Sequence, residues 1–227
     1  MSNSLNIVVT GASKGIGFDL TKNLLSLGHR VFAISRNIDS LVQLKNQYFQ
    51  LEAIQLDVTQ DLSPIIGALQ GLKIDHLINN AGYLVNKGIV DLTDQDILKQ
   101  FEVNAIAPLR IIRELLPYFQ LGGSICNITS MGGVQGTAKF PGLLAYSSSK
   151  GALSILTECL AEELSDHKIR CNALALGAVQ TEMLEAAFPD YKAPFSSSEM
   201  AEYITTFVLE TSRFYNGKVL PVSVSTP

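Results

Sequence analysis

The sequence is poor in charge and in cysteine. Only 17% of its 227 residues are charged, and a net charge of −4 at pH 7 gives no electrostatic reason to expect a nucleic-acid partner, because a phosphate backbone is held mainly by clustered Lys and Arg. The three cysteines, Cys126, Cys159 and Cys171, are odd in number and widely spaced. This predicts buried free thiols rather than a disulfide framework or a zinc site, and we expect no metal.

Long apolar runs are also missing, although 47% of the residues are hydrophobic. A membrane-spanning helix needs roughly 18 to 20 uninterrupted apolar residues. The first six residues carry no basic group, and the apolar run at residues 7–9 is too short for a signal peptide. We therefore expect a cytoplasmic protein without a membrane partner, built as one domain over residues 1–227.

Short β-branched or apolar runs alternate with stretches of helical periodicity along the chain. The predicted strands are residues 5–10, 30–35, 51–56, 76–79, 124–128, 169–176 and 217–222. The predicted helices are residues 15–27, 38–48, 63–72, 94–119, 146–166 and 200–210. Pro108 and Pro117 should kink or end the long helix. Strands separated by helices of this length predict an α/β fold, a doubly wound parallel sheet with helices on both faces.

A glycine-rich turn follows the first predicted strand, with the sequence Thr10-Gly11-Ala12-Ser13-Lys14-Gly15-Ile16-Gly17. In such a sheet this turn lies at the carboxyl end of a strand and opens a helix whose positive N-terminus attracts a pyrophosphate. Gly11 permits the tight turn, Gly15 lets backbone N–H groups approach the phosphates, and Gly17 lets the helix pack closely. This context favours a dinucleotide site over three glycines in an ordinary loop.

The end of the second predicted strand indicates which dinucleotide is bound. An acid there would bind the ribose 2′-hydroxyl of NAD and repel the 2′-phosphate of NADP. This chain has Ser35-Arg36-Asn37 instead. Arg36 offers a planar fork for a phosphate, and Lys14 adds a second cation, so we predict NADP(H). The alternative is that both are solvated surface cations.

Tyr146 and Lys150 stand one turn apart on a predicted helix. A free tyrosine has a pKa of about 10, and a nearby positive charge draws that pKa down, as general acid–base catalysis near neutral pH requires. This spacing is also common in helices with one buried ring and one exposed cation. Ser130 ends the fifth predicted strand, where its hydroxyl can donate to a developing oxyanion or simply form a turn.

These motifs resemble the short-chain dehydrogenase/reductase family of the NADP-preferring type. The resemblance rests on the Gly-x-x-x-Gly-x-Gly turn, on Asp57 after the third strand, on the motif Asn79-Asn80-Ala81-Gly82, and on Ser130 with the Tyr-x-x-x-Lys pair. It implies a Rossmann-like fold and an oxidoreductase that transfers a hydride between NADP(H) and a small-molecule carbonyl/alcohol pair. It further implies a homodimer or homotetramer, although residues 219–227 lack the Gly-Gly finish common in the family.

The resemblance also implies roles for individual residues. The cofactor contacts would be Gly11, Ser13, Lys14, Gly15, Ile16, Gly17, Arg36, Asp57, Val58, Asn80, Ala81, Gly82, Tyr146, Lys150, Val179 and Thr181. The catalytic residues would be Ser130, Tyr146, Lys150 and Asn104, of which Asn104 would hold a water that links Lys150 to solvent. The alternative for Asn104 is a core hydrogen bond that props its helix.

Three departures from the family pattern concern the substrate side. Leu176 replaces the family's proline, and the interval from Ser130 to Tyr146 is a few residues longer than usual. A short substrate segment at about residues 182–198 carries Met183, Leu184, Phe188, Tyr191 and Phe195. These side chains could form an apolar lid or pack on the core.

Other functions fit the sequence less well. A non-catalytic NADP(H)-binding sensor or scaffold would need none of the four catalytic residues together. A 3-oxoacyl reductase linked to acyl carrier protein needs basic surface for its acidic partner, and residues 118–124 offer none. A sugar-nucleotide epimerase of the related extended type would need a sizeable further substrate domain.

Overall fold

Seven parallel strands form one sheet in the computed structural model, which describes residues 4–224. The strand order is β3-β2-β1-β4-β5-β6-β9, and β7 and β8 form a separate short pair. The strands are β1 Asn6–Thr10, β2 Arg30–Ser35, β3 Leu51–Gln55, β4 Ile74–Asn79, β5 Phe119–Ser130, β6 Arg170–Leu176, β7 Val179–Gln180, β8 Phe195–Ser196 and β9 Val219–Val222. The helices are α1 Gly15–Ser26, α2 Asp39–Lys45, α3 Ser63–Leu69, α4 Asp94–Phe101, α5 Ala107–Leu115, α6 Leu144–Glu163, α7 Glu182–Ala187 and α8 Ser197–Thr206.

The predicted doubly wound sheet is confirmed, and its strand order reverses between β1 and β4. The chain winds outward from β1 through β2 and β3, then crosses back to β4 and continues to the other edge. Ligands of open α/β sheets bind outside the carboxyl ends of the strands at such a reversal. The fold therefore directs attention to the ends of β1 and β4.

The core lies on both faces of the sheet. Ile7 and Val9 of β1 belong to one buried cluster with residues of α1 and α8, whereas Val8 belongs to a second cluster with residues of α3, α5 and α6. Successive strand residues point to opposite faces, so the two clusters lie on opposite sides. Within residues 4–224, no helix is both long and apolar enough to cross a membrane.

The long helix predicted at residues 94–119 is interrupted. After α4, a π-helical turn spans Glu102–Ile106 before α5 begins at Ala107. Pro108 has no N–H, so it cannot donate to the carbonyl of Asn104 in an α-helical turn or to that of Val103 in a π turn. The irregularity therefore coincides with the proline, and π turns of this kind are frequent at functional sites.

Several predicted boundaries shift because of local chain breakers and pairing. The helix ends in a short 3-10 turn at Leu116–Tyr118, which contains Pro117, and β5 starts as early as Phe119 because Phe119 pairs with Ile74 of β4. Residues 177–199, for which no element was predicted, contain α7 and the β7–β8 pair.

The prediction that all three cysteines are buried is wrong for one of them. Cys126 and Cys171 are buried, but Cys159 is exposed. Leu160 and Ala161 lie on the face of α6 that packs on the core, so Cys159, one position earlier, lies on the outer face of this helix.

His76 on β4 gives the fold a pH-dependent stability. Its Nδ1 lies 2.7 Å from the Ser124 hydroxyl. Burial lowers the pKa of His76 to about 4, with Asp75 opposing this shift and Arg170 adding to it. The unfolded chain keeps the ordinary histidine pKa of about 6.5 and takes up the proton first as the pH falls. This contribution is therefore complete at pH 7 and is lost between about pH 6.5 and 4.

We expect His76→Gln to reduce the acid-induced loss of stability. Between pH 7 and about pH 4.5, the free energy of unfolding of the variant should fall less than that of the wild type, by up to about 3 kcal/mol. Urea denaturation at both pH values measures this. His167→Gln, at an exposed position, is the control and should follow the wild type. Identical pH dependence in all three proteins would contradict the role of His76.

Candidate active site

One cavity of about 1190 Å³ runs along the carboxyl ends of the central strands. It contains every predicted cofactor-contacting residue and three of the four predicted catalytic residues, Ser130, Tyr146 and Lys150. Asn104 is fully buried behind this wall and does not line the cavity. The topology thus brings residues that are far apart in sequence into one continuous site.

The glycine turn forms one end of the cavity, and steric limits account for its glycines. A Cβ added to Gly17 would lie 2.2 Å from the Gly11 carbonyl oxygen and 2.4 Å from Asn80 Nδ2. Gly11 and Gly15 have φ values of +67° and +52°, in the left-handed region that favours glycine. The predicted close packing at Gly17 is therefore seen, with the turn itself and Asn80 as its neighbours.

Asn80 and Thr10 fasten this turn to β4. The Asn80 side-chain amide donates to the carbonyls of Thr10 and Gly11, each at 3.1 Å. In return, the Thr10 hydroxyl accepts from the backbone N–H groups of Asn80 at 3.1 Å and Ala81 at 3.0 Å. The two strand ends at the reversal of the sheet are thereby held as one unit.

The start of α1 suits a dinucleotide phosphate. Its N-cap residue, Lys14, makes no side-chain capping hydrogen bond, and the first turn contains no acid. The first backbone N–H groups of any helix lack partners within the helix, and with the helix dipole they bind anions. These residues fit the pyrophosphate of a nicotinamide dinucleotide.

Two cations, Lys14 and Arg36, line the cavity at the end that the glycine turn forms. Lys14 and Arg36 are exposed at the cavity, and neither takes part in a salt bridge among residues 4–224. The Ser13 and Ser35 hydroxyls lie 2.7 Å apart, and the Ser40 hydroxyl donates to the Ser13 carbonyl at 2.7 Å. The two segments that carry the cations are therefore tied together.

Asp57 lies on the same side of the cavity in a tight local turn. It accepts hydrogen bonds from the Thr59 N–H at 3.0 Å and the Thr59 hydroxyl at 2.8 Å. Burial alone would raise the pKa of Asp57, but these hydrogen bonds, with Lys99 and Arg36, leave it below the ordinary value. The carboxylate is ionised at neutral pH, and Val58 beside it also lines the cavity.

Ser130, Tyr146 and Lys150 meet at the other end. Burial raises the pKa of Tyr146 to about 12, and a hydrogen bond with Ser130 acts in the opposite direction. Burial also lowers the pKa of Lys150 to about 8. The i, i+4 spacing had predicted a lowered tyrosine pKa; instead desolvation dominates, and Lys150 Nζ lies 6.0 Å from the ring centroid. The phenol is therefore protonated at neutral pH and can serve as a proton donor.

Lys150 and Asn104 are held by a buried hydrogen-bond network. Lys150 Nζ donates to the Ile128 carbonyl at 2.8 Å. The Asn104 amide donates to the Tyr83 carbonyl at 2.8 Å and to the Ser149 hydroxyl at 2.9 Å, and its oxygen accepts from the Tyr83 N–H at 2.8 Å. Asn104 therefore ties the segment after β4 to Ser149, the residue that precedes Lys150 on α6.

Sequence reasoning missed the contacts that position Lys150. The Thr129 hydroxyl donates to the Lys150 carbonyl at 2.7 Å. A Cβ added to Gly133 would lie 2.6 Å from the Lys150 carbonyl carbon and 2.7 Å from the Gly151 nitrogen. The glycine at position 151 could have indicated this contact. A glycine inside a helix lowers stability by about 1 kcal/mol relative to alanine, so its presence suggests that another segment packs closely there.

The apolar side chains of residues 182–198 divide between the cavity and the core. Met183, Leu184, Phe188 and Tyr191 line the cavity, whereas Phe195 packs against the core. In the part of the chain that the structure describes, none of the four belongs to either core cluster, and α7 buries no residue. Their apolar surface therefore faces the cavity. Thr181 caps α7 by accepting from the Leu184 N–H at 3.3 Å, and Val179 is buried beside it.

The fold and the cavity together define a class of protein. A doubly wound sheet carries a dinucleotide cradle at one end of a cleft and a serine, a tyrosine and a lysine at the other. The chain belongs to the short-chain dehydrogenase family, since the family model described as "short chain dehydrogenase" matches residues 5–192. It is an oxidoreductase that acts on carbonyl or alcohol substrates with a nicotinamide cofactor.

Individual relatives agree with this membership. Carbonyl reductase [NADPH] 2 of Sus scrofa is 36% identical over 183 residues, which cover 79% of this chain and 73% of the relative. L-xylulose reductase of Caenorhabditis elegans is 34% identical over 185 residues, 78% of this chain and 72% of the relative. Among solved structures, 4-hydroxyisoleucine dehydrogenase complexed with NADH matches with a TM-score of 0.86 at 25% identity, with 97% of each chain covered. ElxO with NADP bound matches with a TM-score of 0.85 at 27% identity and the same coverage.

The close approach at Gly17 makes a testable prediction. We expect Gly17→Ala to lower the free energy of unfolding by about 3 kcal/mol, because the methyl group would collide with the Gly11 carbonyl. Gly67→Ala is the matched control, since a Cβ there meets no atom within 4 Å inside α3. It should stabilise the protein by about 0.5 to 1 kcal/mol. Urea denaturation decides, and equal stability of the two variants would refute the steric explanation.

Proposed function

We propose that this protein is an NADP-dependent carbonyl reductase, which interconverts a small-molecule carbonyl compound and its alcohol. The observation that carries the proposal is the single cleft that joins the exposed cations Lys14 and Arg36 to Ser130, Tyr146 and Lys150. We further propose that residues 1–227 form one domain with a short substrate segment at about residues 182–198.

The preference for NADP over NAD is supported by charge. The 2′-phosphate would lie between Arg36 and Lys14, neither of which forms a salt bridge among the described residues. A guanidinium can hold a phosphate with two parallel hydrogen bonds. Carbonyl reductase [NADPH] 2 carries this cofactor in its name, whereas 4-hydroxyisoleucine dehydrogenase was solved with NADH. The preference for NADP over NAD therefore rests on the positive charge of Arg36, directly after β2.

The chain's own residues would handle the proton. When bound, the nicotinamide cofactor would supply the hydride for the carbonyl carbon. The Tyr146 hydroxyl would donate the proton to the carbonyl oxygen. The raised pKa keeps Tyr146 protonated before transfer, and Ser130 would donate to the same oxygen as charge develops on it. Lys150, with a pKa of about 8, would stabilise the phenolate that remains.

We also propose a role for Asn104 and an oligomeric state for the protein. Asn104 would hold a water that links Lys150 to solvent. This is supported by the closeness of the two side chains at Gly82, where an added Cβ would lie 3.6 Å from Asn104 Oδ1 and 3.7 Å from Lys150 Nζ. A homodimer or homotetramer is supported by the exposed apolar side chains Leu98 and Ile155 on the neighbouring helices α4 and α6.

The cofactor preference predicts a selective loss. Arg36→Ala should weaken NADPH binding by about 10- to 100-fold, because a charge-assisted hydrogen bond contributes about 1.5 to 3 kcal/mol, and it should leave NADH binding unchanged. Fluorescence titration with each dinucleotide measures both constants. Lys22→Ala, an exposed cation elsewhere on α1, controls for general charge. Unchanged NADPH affinity in Arg36→Ala would refute the NADP preference.

The proton-donor role predicts loss of chemistry without loss of binding. Tyr146→Phe should lower kcat for carbonyl reduction by about 10²- to 10⁴-fold, while NADPH still binds. Tyr203→Phe, on a half-exposed ring of α8, should keep wild-type turnover. Absorbance at the nicotinamide band follows both. If the wild type binds NADPH tightly but reduces no aldehyde or ketone in a broad panel, the protein is a non-catalytic sensor instead.

A further inference from the structure

We propose that the substrate of this site is an uncharged carbonyl compound with a bulky hydrocarbon or aromatic group, and neither a carboxylate, a phosphate ester nor a polyol. The inference rests on the proposed function and adds the chemical class of its substrate. It is drawn from the walls of the cleft beyond Tyr146 and from the partners of the charged side chains around them.

The walls at this end are apolar and come from three separate segments. Leu84 follows β4, Phe140 belongs to the long loop before α6, and Leu184 and Phe188 come from α7 and the residue after it. None of these four side chains is a buried core residue or belongs to either core cluster of the described residues, so their apolar surface is available to a ligand. A pocket of this kind recognises hydrocarbon by burial, at about 25 cal/mol per Å².

The charged residues that line the cleft are committed elsewhere. Lys14, Arg36, Asp39 and Asp57 lie at the dinucleotide end. Glu182 lies beside the glycine turn, where a Cβ added to Gly15 would come within 3.4 Å of its Oε2. Lys150, the remaining cation of the cleft in the described chain, donates to the Ile128 carbonyl at 2.8 Å. Beyond Tyr146, no charged side chain that lines the cleft in the described chain is thus free to pair with a substrate anion.

Two lysines near the apolar segments are also engaged, and neither lines the cleft. Lys87 Nζ lies 2.7 Å from Asp96 Oδ2, and its hydrogen bond is the largest of the effects that lower the pKa of Asp96 to about 2. Lys139 Nζ donates to the Val134 carbonyl at 2.7 Å and to the Thr137 carbonyl at 2.9 Å. Both cations are therefore satisfied within the protein, and moving either to a substrate would break existing contacts.

The spacing of the apolar walls is maintained by hydrogen bonds. The Lys87 N–H donates to the Gly142 carbonyl at 3.0 Å, which ties the long loop to the segment after β4. The Asn86 amide donates to the Ala187 carbonyl at 2.8 Å, which ties the end of α7 to the same segment. The three segments are therefore connected around the cleft, and a charge or a row of hydroxyl groups buried against their apolar side chains would lose hydration without compensation.

A matched pair of ketones tests the proposal. Methyl 4-acetylbenzoate and 4-acetylbenzoate share the same reacting carbonyl and differ in one negative charge. With the full chain and NADPH, we expect kcat/KM for the ester to exceed that for the acid by at least about 100-fold, since an unpaired charge costs several kcal/mol. A pentulose should react at least as poorly as the acid. Calorimetry on the NADPH complex of Tyr146→Phe should show binding of the ester and none of the acid.

A charge placed in the wall should reverse the preference. Phe188→Arg should raise kcat/KM for 4-acetylbenzoate and lower it for the ester, whereas Phe188→Leu should keep the wild-type order. Leu184→Lys on α7 provides the same test if Phe188→Arg does not fold, and NADPH binding reports folding. Equal or better turnover of the acid or the pentulose by the wild type would overturn the substrate class and leave the reductase intact. Tight NADPH binding without turnover of any of the three compounds, or of a small neutral diketone, would overturn the proposed function itself.

Discussion

The structure depends on the close approach of the glycine turn to Asn80. Gly17 has no space for a side chain because the Gly11 carbonyl and the Asn80 amide occupy it, and Asn80 holds that position by donating to two carbonyls of the turn. This contact joins β1 to β4, where the strand order reverses. It sets the orientation of α1, and so of the backbone N–H groups at the start of this helix, beside the cleft. It also sets the start of the segment from Gly82 onward that borders the chemical end.

A second close approach fixes the chemical end relative to the first. Gly133 packs against the backbone of α6 between Lys150 and Gly151, and Thr129 on β5 donates to the Lys150 carbonyl. A buried chain of amides links β4 to β5 and α6: Asn79 donates to Asn127 at 2.8 Å, and Asn127 donates to Thr157 at 2.9 Å. Because these side chains are buried, a shift of α6 along the sheet would leave polar groups unpaired away from water. The separation between the glycine turn and Tyr146 is thereby held constant.

Periodicity predicted the positions along the chain of the seven strands of the main sheet and of most helices. A β-branched run and a helical apolar stripe are local properties of the chain, so the sequence shows them directly. The errors fall where distant contacts decide. Strand β5 begins at Phe119 because Ile74 offers it a partner. The interruption of the preceding helix beside Pro108 and its end at Pro117, by contrast, agree with the prediction made from these two prolines. Cys159 is exposed because its neighbours, not its own hydrophobicity, set the phase of α6. Two further features of residues 177–199 were not predicted. Helix α7 begins at a cap formed by Thr181, and strands β7 and β8 pair although they come from different segments of the chain.

The sequence by itself determined the class of fold, the glycine turn with Lys14, the cation Arg36 after β2 and the candidate residues Ser130, Tyr146 and Lys150, because each is a short pattern whose chemistry follows from spacing. Only the tertiary structure decided the environment of those groups. Burial raises the pKa of Tyr146, whereas the local spacing had predicted the opposite. The fold also brings three apolar segments around the same cleft. Lys87 and Lys139 form their hydrogen bonds outside this cleft, Lys87 with Asp96 and Lys139 with the Val134 carbonyl. Desolvation and charge pairing depend on what surrounds a side chain in space, and residues distant in sequence supply those surroundings.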